Sequence, residues 1–341
     1  MNNYKWYSKT GPEGDVVISS RIRLARNLRD YPFPIKSDSE TKRIVNNIVK
    51  KAILESNSYI ASEFNYIELD KLSHTQAVSL VEKHLVSPDF IADMSDRALL
   101  ITKDESVSIM INEEDHIRIQ VLKEGLSLNE AFEYADRIDT LINEGVAIAF
   151  DNRLGYLTQC PTNIGTGMRA SVMLHLPALS ESGAISRITS NLAKIGIIIR
   201  GSYGEGTKIK GDMYQISNQI TLGLSEQEAL DNLRSVTMQI IAQERRVRNE
   251  LIMNLSIQDK ISRAIGILKS AKLLSSDEFM NLISLVRFGV AERLVTGLDF
   301  DTINKLSVEI LPATMGEFPN TNERDIARAE LVKEKLTDII Y

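Results

Sequence analysis

The feature that most constrains this chain is a change of hydrophobic period along it. Between Ala98 and Val121 the apolar residues come in strand-length runs, Ala98 to Ile101 and Val107 to Ile111. Then Ile117, Ile119 and Val121 alternate with Arg118 and Gln120. Period-two alternation describes a strand with one buried and one polar face. Shorter strand-like pieces follow at Ala147 to Phe150, Ser171 to Leu176, Ile197 to Arg200 and Met213 to Ser217. Amphipathic helices are predicted at residues 40–55, from Ser73 to Leu85 and from Leu128 to Ile142. From Ser225 the pattern is helical as far as Tyr341, broken near Gly297, Pro312, Gly316 and Pro319. Strands followed almost only by helices predict an α+β domain at 1–253 and an all-α domain at 254–341.

Length and charge narrow the function classes. A chain of 341 residues is of two-domain size. Its 40 basic and 46 acidic side chains give a net charge of −6, which excludes an overall basic nucleic-acid face but not a local basic cleft. Cys160 is the single cysteine, so no internal disulfide forms, as in a reducing compartment. The N-terminus lacks the apolar core of a signal peptide, and no run approaches the ~18 apolar residues of a membrane helix. A cytoplasmic protein that contacts neither membrane nor nucleic acid is expected.

Several familiar motifs are excluded. Gly201 to Lys208 resembles a phosphate-binding loop, but Thr207 and Lys208 are transposed. Gly165 to Ala170 fits the loose dinucleotide fingerprint, yet it follows a loop and leads into a strand. No Cys/His spacing suggests a metal cage, and four histidines are too few to require one.

What remains is a set of arginines at strand ends and beside glycine loops. Arg21 and Arg23 share a face if extended, Arg118 lies on a polar strand face, Arg169 ends a glycine-rich loop, and Arg200 ends an aliphatic strand. Guanidinium forks match phosphate oxygens bidentately, so the set suits a polyphosphate. On spacing alone, separate surface salt bridges explain it more economically. Glu113, Glu114 and Asp115 are three adjacent carboxylates, either a solvated turn or the seat of a cation such as a guanidinium. Cys160 reads as a small buried hydrophobe, or as a thiolate if arginines surround it.

Taken together and in order, five segments resemble the phosphagen (guanidino) kinase family. They are Ser19 to Asn27, Asn112 to Arg118, Gly155 to Asn163 with Gly165 to Ala170, Arg200-Gly201, and Gly204-Glu205. Members carry a helical domain before the first segment. Here 18 residues precede it, and a helical stretch follows the catalytic region instead. That layout is similar to the bacterial branch that phosphorylates arginine in proteins. The resemblance implies an antiparallel sheet flanked by helices, then a helical domain. Gln215 departs from the aspartate usual in small-molecule members.

The resemblance also implies roles. Glu114, Glu205 and Cys160 would be catalytic, with Glu114 the base and Cys160 a thiolate against the acceptor guanidinium. ATP would be held by Ser19, Ser20, Arg21, Ile22, Arg23, His84, Arg118, Arg169, Ala170, Ser171, Val172, Met173, Arg200, Gly201, Ser202, Tyr203, Gly204 and Glu205. His84 reads equally as a polar residue on an amphipathic helix. Mg²⁺ would ride on the phosphates, with no protein metal site. Protein substrates with exposed arginine, a zinc-binding activator, a Clp-type ATPase and a homodimer are the implied partners. Arg324, Asp325 and Arg328 match a phosphoarginine-binding motif at a helix start, with Thr321 or Asn322 as the expected cap. Without the family, Asp325 and Arg328 read as a surface pair. A small-guanidine kinase and a catalytically silent binder are the alternatives.

Overall fold

A computed structural model describes residues 4–201 and 210–341. Its N-terminal part is built on strands β1 (Val17–Arg26), β2 (Phe64–Glu68), β3 (Ala98–Thr102), β4 (Val107–Ile111), β5 (Ile117–Glu124), β8 (Met168–His175), β9 (Ile197–Gly201) and β10 (Met213–Asn218). They form one sheet in the order β2-β3-β4-β5-β1-β8-β10-β9, antiparallel at every pairing. Strands β6 (Phe150–Asp151) and β7 (Gly155–Tyr156) make a separate small hairpin.

The pleat gives this sheet two unlike faces. Ile22, Leu24, Ile117, Ile119, Val121, Ala170, Val172 and Ile216 point to one side and are fully or almost fully buried. There they pack with helices α1 (Ser39–Leu54), α4 (Leu128–Gly145) and α7 (Glu226–Leu251) into the largest core. At roughly 25 cal/mol per Å² of apolar surface, this face holds the sheet rigid. The other face is apolar toward β3, β4 and the end of β5, where Leu99, Ile101, Met110 and Leu122 pack with residues of α2 (His74–Glu82) and α3 (Pro88–Ala92). Toward β1 and β8 it turns polar. Short helices α5 (Pro177–Glu181) and α6 (Ile185–Ala193) link β8 to β9.

Sequence and structure differ at several places. The strand expected at Ala147 pairs only at Phe150–Asp151, because Ile148 instead bridges to Leu28. β8 begins at Met168, three residues before the expected Ser171, where Gly167 turns at φ +61°. The helix expected to reach Leu85 stops at Glu82. His84 then adopts φ +59°, so it lies in a turn and not on a helix face. β2, α3, α5 and α6 have no counterpart among the expected elements.

The C-terminal part comprises α8 (Leu255–Ser270), α9 (Ser276–Ala291), α10 (Phe300–Glu309) and α11 (Thr321–Lys335). Ile261, Phe279, Val286, Leu306 and Val332 form its own core. Asn320, not Thr321 or Asn322, caps α11, accepting the Glu323 N–H at 3.0 Å. Polar anchors tie the two parts. Arg287 donates to the Gly14 carbonyl at 2.6 Å, and Glu82 accepts the Ala313 and Thr314 N–H groups at 2.9 and 2.7 Å.

Candidate active site

The polar face of the sheet gathers the arginines that the sequence scatters. Register sets Arg23 opposite Arg169 on one side and Gln120 on the other. Arg21 faces Ser171 and Leu122, and Arg118 faces Ala25. Arg21, Arg23, Arg118 and Arg169 therefore lie on one face of three adjacent strands. Arg200 stands farther out on β9, opposite Gln215.

Several of these guanidinium groups bond neutral side chains. Arg21 donates to Gln215 Oε1 at 2.7 Å and to Ser171 Oγ at 3.3 Å. Arg169 donates to Ser217 Oγ. Arg23 Nε is buried without a hydrogen-bond partner. Arg118 is ion-paired, its Nη1 donating to Glu113 at 2.6 Å. Burial, with repulsion from Arg118 and Arg169, pulls Arg21 down to about 9. Burial and the same neighbours, with Arg21, hold Arg23 well below the ordinary arginine range. Buried guanidinium groups that repel one another gain from an anion between them, as a polyphosphate would provide.

The three carboxylates of the β4–β5 turn divide the work. Glu113 is buried and also accepts from Ser87. Burial alone would raise its pKa, but Arg118 and these contacts hold it below the ordinary value. Asp115 accepts from Asn27 Nδ2 at 2.6 Å and from the Gln159 N–H at 2.7 Å, fixing the loop that carries Cys160. Glu114 is exposed to the cleft. Burial of part of its surface and the neighbouring Asp115 and Glu113 raise its pKa, while Arg118 and a hydrogen bond with Cys160 oppose the rise. Cys160 Sγ lies 3.0 Å from Thr162 Oγ1. Its neighbours thus include Glu114 and Thr162. His116 accepts the Leu28 N–H and contacts the Pro32 carbonyl, so it serves the turn as a neutral ring, pulled to about 4 by burial.

Three spaces meet on this face. A cavity of about 100 Å³ lies among Arg23, Glu113, Glu114, Arg118 and Arg169. A cleft of about 400 Å³, edged by Ile35, Lys42, Asp89, Arg97 and Gln159, shares Glu113, Glu114 and Arg118 with it. On the far side, a throat lined by Ser19, Arg21, His84, Met173 and Gln215 opens into a mainly apolar cavity of about 270 Å³. Burial, with Arg21 nearby, pulls the His84 ring down to about 4.

The expected residues are therefore sorted. Ser19, Arg21, Arg23, His84, Arg118, Arg169, Ser171 and Met173 line one continuous surface. Ile22, Ala170 and Val172 point into the opposite core, so their side chains cannot touch a ligand there. Ser20 is buried too, donating to the Gly125 carbonyl and accepting the Ser127 N–H. Gly201 ends β9 opposite Tyr214. Ser202, Tyr203, Gly204 and Glu205 lie outside the described residues. Sequence reasoning missed Ser217, whose signal was polarity at an inward strand position, and Asn27, which follows the end of β1. Among the described residues no group of three or more His, Cys, Asp or Glu side chains could hold a metal. No described helix is long and apolar enough to cross a membrane.

A family model described as "ATP:guanido phosphotransferase, C-terminal catalytic domain" matches residues 44–247. The chain belongs to that family. A second model, "Protein-arginine kinase McsB C-terminal domain", matches residues 254–340. The chain is 48% identical over 328 residues to a protein-arginine kinase of Caldanaerobacter subterraneus, covering 94% of this chain and 97% of that one. It is 47% identical over 343 residues to a protein-arginine kinase of Clostridium kluyveri, covering 98% and 99%. Among solved structures it resembles lombricine kinase, with a TM-score of 0.62 and 27% identity over 71% of this chain and 69% of that one.

Proposed function

We propose that this guanidino kinase transfers the γ-phosphoryl group of ATP to the guanidinium of arginine residues in proteins. The observation that carries the reading is the arginine floor ending at Glu114, a carboxylate whose pKa is raised. The phosphates would lie on Arg21, Arg23, Arg118 and Arg169, with Arg200 at the border. The base would pass the throat toward Trp6 and Met173. The donor set fits a triphosphate because an unpartnered Arg23 Nε and mutually repelling guanidinium groups gain from an anion. Magnesium would come with the nucleotide that Arg21, Arg23, Arg118 and Arg169 hold, and would supply neutralisation of charge on the leaving group.

The acceptor arginine would enter by the cleft beside Ile35 and lay its guanidinium between Glu114 and Cys160. A guanidinium has a pKa above ~12 and must lose a proton as its nitrogen attacks. Glu114 takes that proton, the N–P bond forms, and the bond from γ-phosphorus to the bridging oxygen breaks, releasing ADP. Arg23, Arg118 and Arg169 stabilise the charge on the phosphoryl oxygens in flight, and Glu113 aims Arg118. A raised pKa makes the Glu114 carboxylate a stronger base toward the proton of the acceptor.

The C-terminal motif extends the reading to regulation by the product. Arg328 is fully buried and donates to the Ile310 and Leu274 carbonyls at 2.7 and 2.8 Å, and to Asp325. It is not the surface pair of the plain sequence reading. Arg324 Nε and Arg328 Nη2 are nevertheless buried without partners, and the phosphate of phosphoarginine would satisfy both. A protein so marked is what a Clp-type ATPase would take for degradation, as the family resemblance implies.

Radiolabelled ATP offered with free arginine or with an arginine-rich unfolded protein tests the reading. Acid-labile label on the protein supports it. Label on free arginine alone favours a small-guanidine kinase, and nucleotide binding without transfer favours a silent binder. Phosphoarginine titrated calorimetrically into wild type and an Arg324→Ala/Asp325→Ala double mutant, each with its active site blocked, tests the motif. Equal affinity would refute it.

A further inference from the structure

We infer that helix α9 of the C-terminal part positions the nucleotide-holding strands, so that Asn281 and Ser284 govern ATP affinity without touching ATP. This rests on the placement of the phosphates on β1 and β8.

Three successive residues leading into β10 are held by one face of α9. Lys210 Nζ donates to Asp277 Oδ1 at 2.5 Å, the Gly211 N–H donates to Asn281 Oδ1 at 3.3 Å, and Ser284 Oγ donates to Asp212 Oδ2 at 2.7 Å. Positions 277, 281 and 284 follow the i, i+4, i+7 spacing of a single helix stripe. Gly211 makes the approach possible. Its φ is +56°, and a Cβ there would come within 2.5 Å of the Met280 carbonyl oxygen.

The row also reaches β8. His175 Nε2 lies 2.9 Å from Ser284 Oγ, and since that hydroxyl gives its proton to Asp212, the imidazole must donate. His175 is 0% and Ser284 1% exposed, so these bonds are made without water competing. The Asp212 carbonyl accepts the Leu176 N–H at 3.0 Å, which closes β8 and β10 on each other at the same end. β8 carries Arg169 and Ser171. β10 carries Ser217 and Gln215, the acceptor for Arg21. A slip of either strand would move the neutral partners that aim two phosphate-binding guanidinium groups. Met280 and Asp277 also line the cavity that the throat beside Arg21 opens into.

An interface that only adheres would not couple to ATP, whereas one that sets strand position must, and the coupling must be reciprocal. The test measures KM for ATP, KM for a protein acceptor and the thermal midpoint in full-length Asn281→Ala, Ser284→Ala and Ser284→Thr. KM for ATP should rise about tenfold in the two alanine variants and return toward wild type in Ser284→Thr, with acceptor KM unmoved. Saturating nucleotide should in turn slow amide exchange in α9. An unchanged KM for ATP, or a loss of all parameters in proportion to lost folded protein, would overturn the inference. Arg23→Ala separates it from the underlying reading. If Arg23→Ala retains full nucleotide affinity, the phosphate site itself is misplaced. If that variant loses affinity while Ser284→Ala does not, only the role of α9 fails.

Discussion

Arg118 Nη1 stands 2.6 Å from Glu113 Oε2, with the carboxylate side chain 5% exposed and the guanidinium 21%. This ion pair lies within the arginine floor. It holds one guanidinium in a fixed direction, beside Arg21 and Arg23, which the neighbouring guanidinium groups repel. A buried pair of this kind adds little net stability, because desolvation offsets attraction, but it specifies geometry.

Glu113→Gln should therefore split the kinetic constants. Arg118 loses its aim, and misplacement of about 1 Å can cost 10²-fold, so kcat should fall ten- to a hundredfold. One negative charge leaves the floor, so KM for ATP should hold or fall. Steady-state kinetics with ATP varied at saturating acceptor decides it. A raised KM with unchanged kcat would assign Glu113 to nucleotide binding instead.

Cys160→Ala should act through Glu114. The hydrogen bond from Cys160 is one of the influences holding the Glu114 pKa down against burial and two acidic neighbours. Without it the pKa rises further, and because the ionised form is the base, the acid limb of kcat/KM against pH should move to higher pH. We expect kcat to drop about tenfold at neutral pH, recovering in part in alkali. A pH profile that coincides with wild type would show that Cys160 does not touch the base.

Glu244 carries a prediction about stability. It is buried on α7, accepts the Ala178 and Leu179 N–H groups at 2.9 Å each, and burial pushes its pKa up to about 7. A folded-state pKa above the unfolded one favours the protonated protein. Its contribution is full below the ordinary carboxyl range and is lost as pH rises toward about 7. The thermal midpoint of Glu244→Gln should fall less than that of wild type across that window. Parallel curves would mean that Glu244 is already ionised in the fold.

The two arginines of the C-terminal motif should separate on unfolding. Arg328→Ala strands the Ile310 and Leu274 carbonyls and Asp325, and should cost about 3 kcal/mol. Arg324 is only half-buried, and Arg324→Ala should cost well under half of that. Urea unfolding of both variants checks the order, and equal losses would remove the structural role given to Arg328.

Part of this site was legible before any coordinates. The alternation of Ile117, Ile119 and Val121 with Arg118 and Gln120 foretold a two-faced strand, and Arg21 and Arg23 share a face for the same reason. Ile22, Ala170 and Val172 entered the expected site because the resemblance carries contiguous segments, whereas the pleat sends alternate residues to the core. The facing of Arg23 and Arg169 was not legible, since it depends on the register of strands far apart in sequence. Nor was the α9 row, which joins Lys210 to Asp277 across 67 residues by tertiary packing alone. The caps and short helices failed locally. Asn320 competes with two neighbouring polar residues for the same role, and the five-residue helices α3 and α5 are too short to show a period.

The most direct test of the account is phosphoryl transfer by Glu114→Gln, measured beside its affinity for a nonhydrolysable ATP analogue. Glutamine keeps the size of the side chain but cannot accept a proton from the arginine acceptor, so the account predicts a loss of 10²- to 10⁴-fold in kcat with nucleotide affinity unchanged. Transfer at the wild-type rate by a folded Glu114→Gln protein would contradict it.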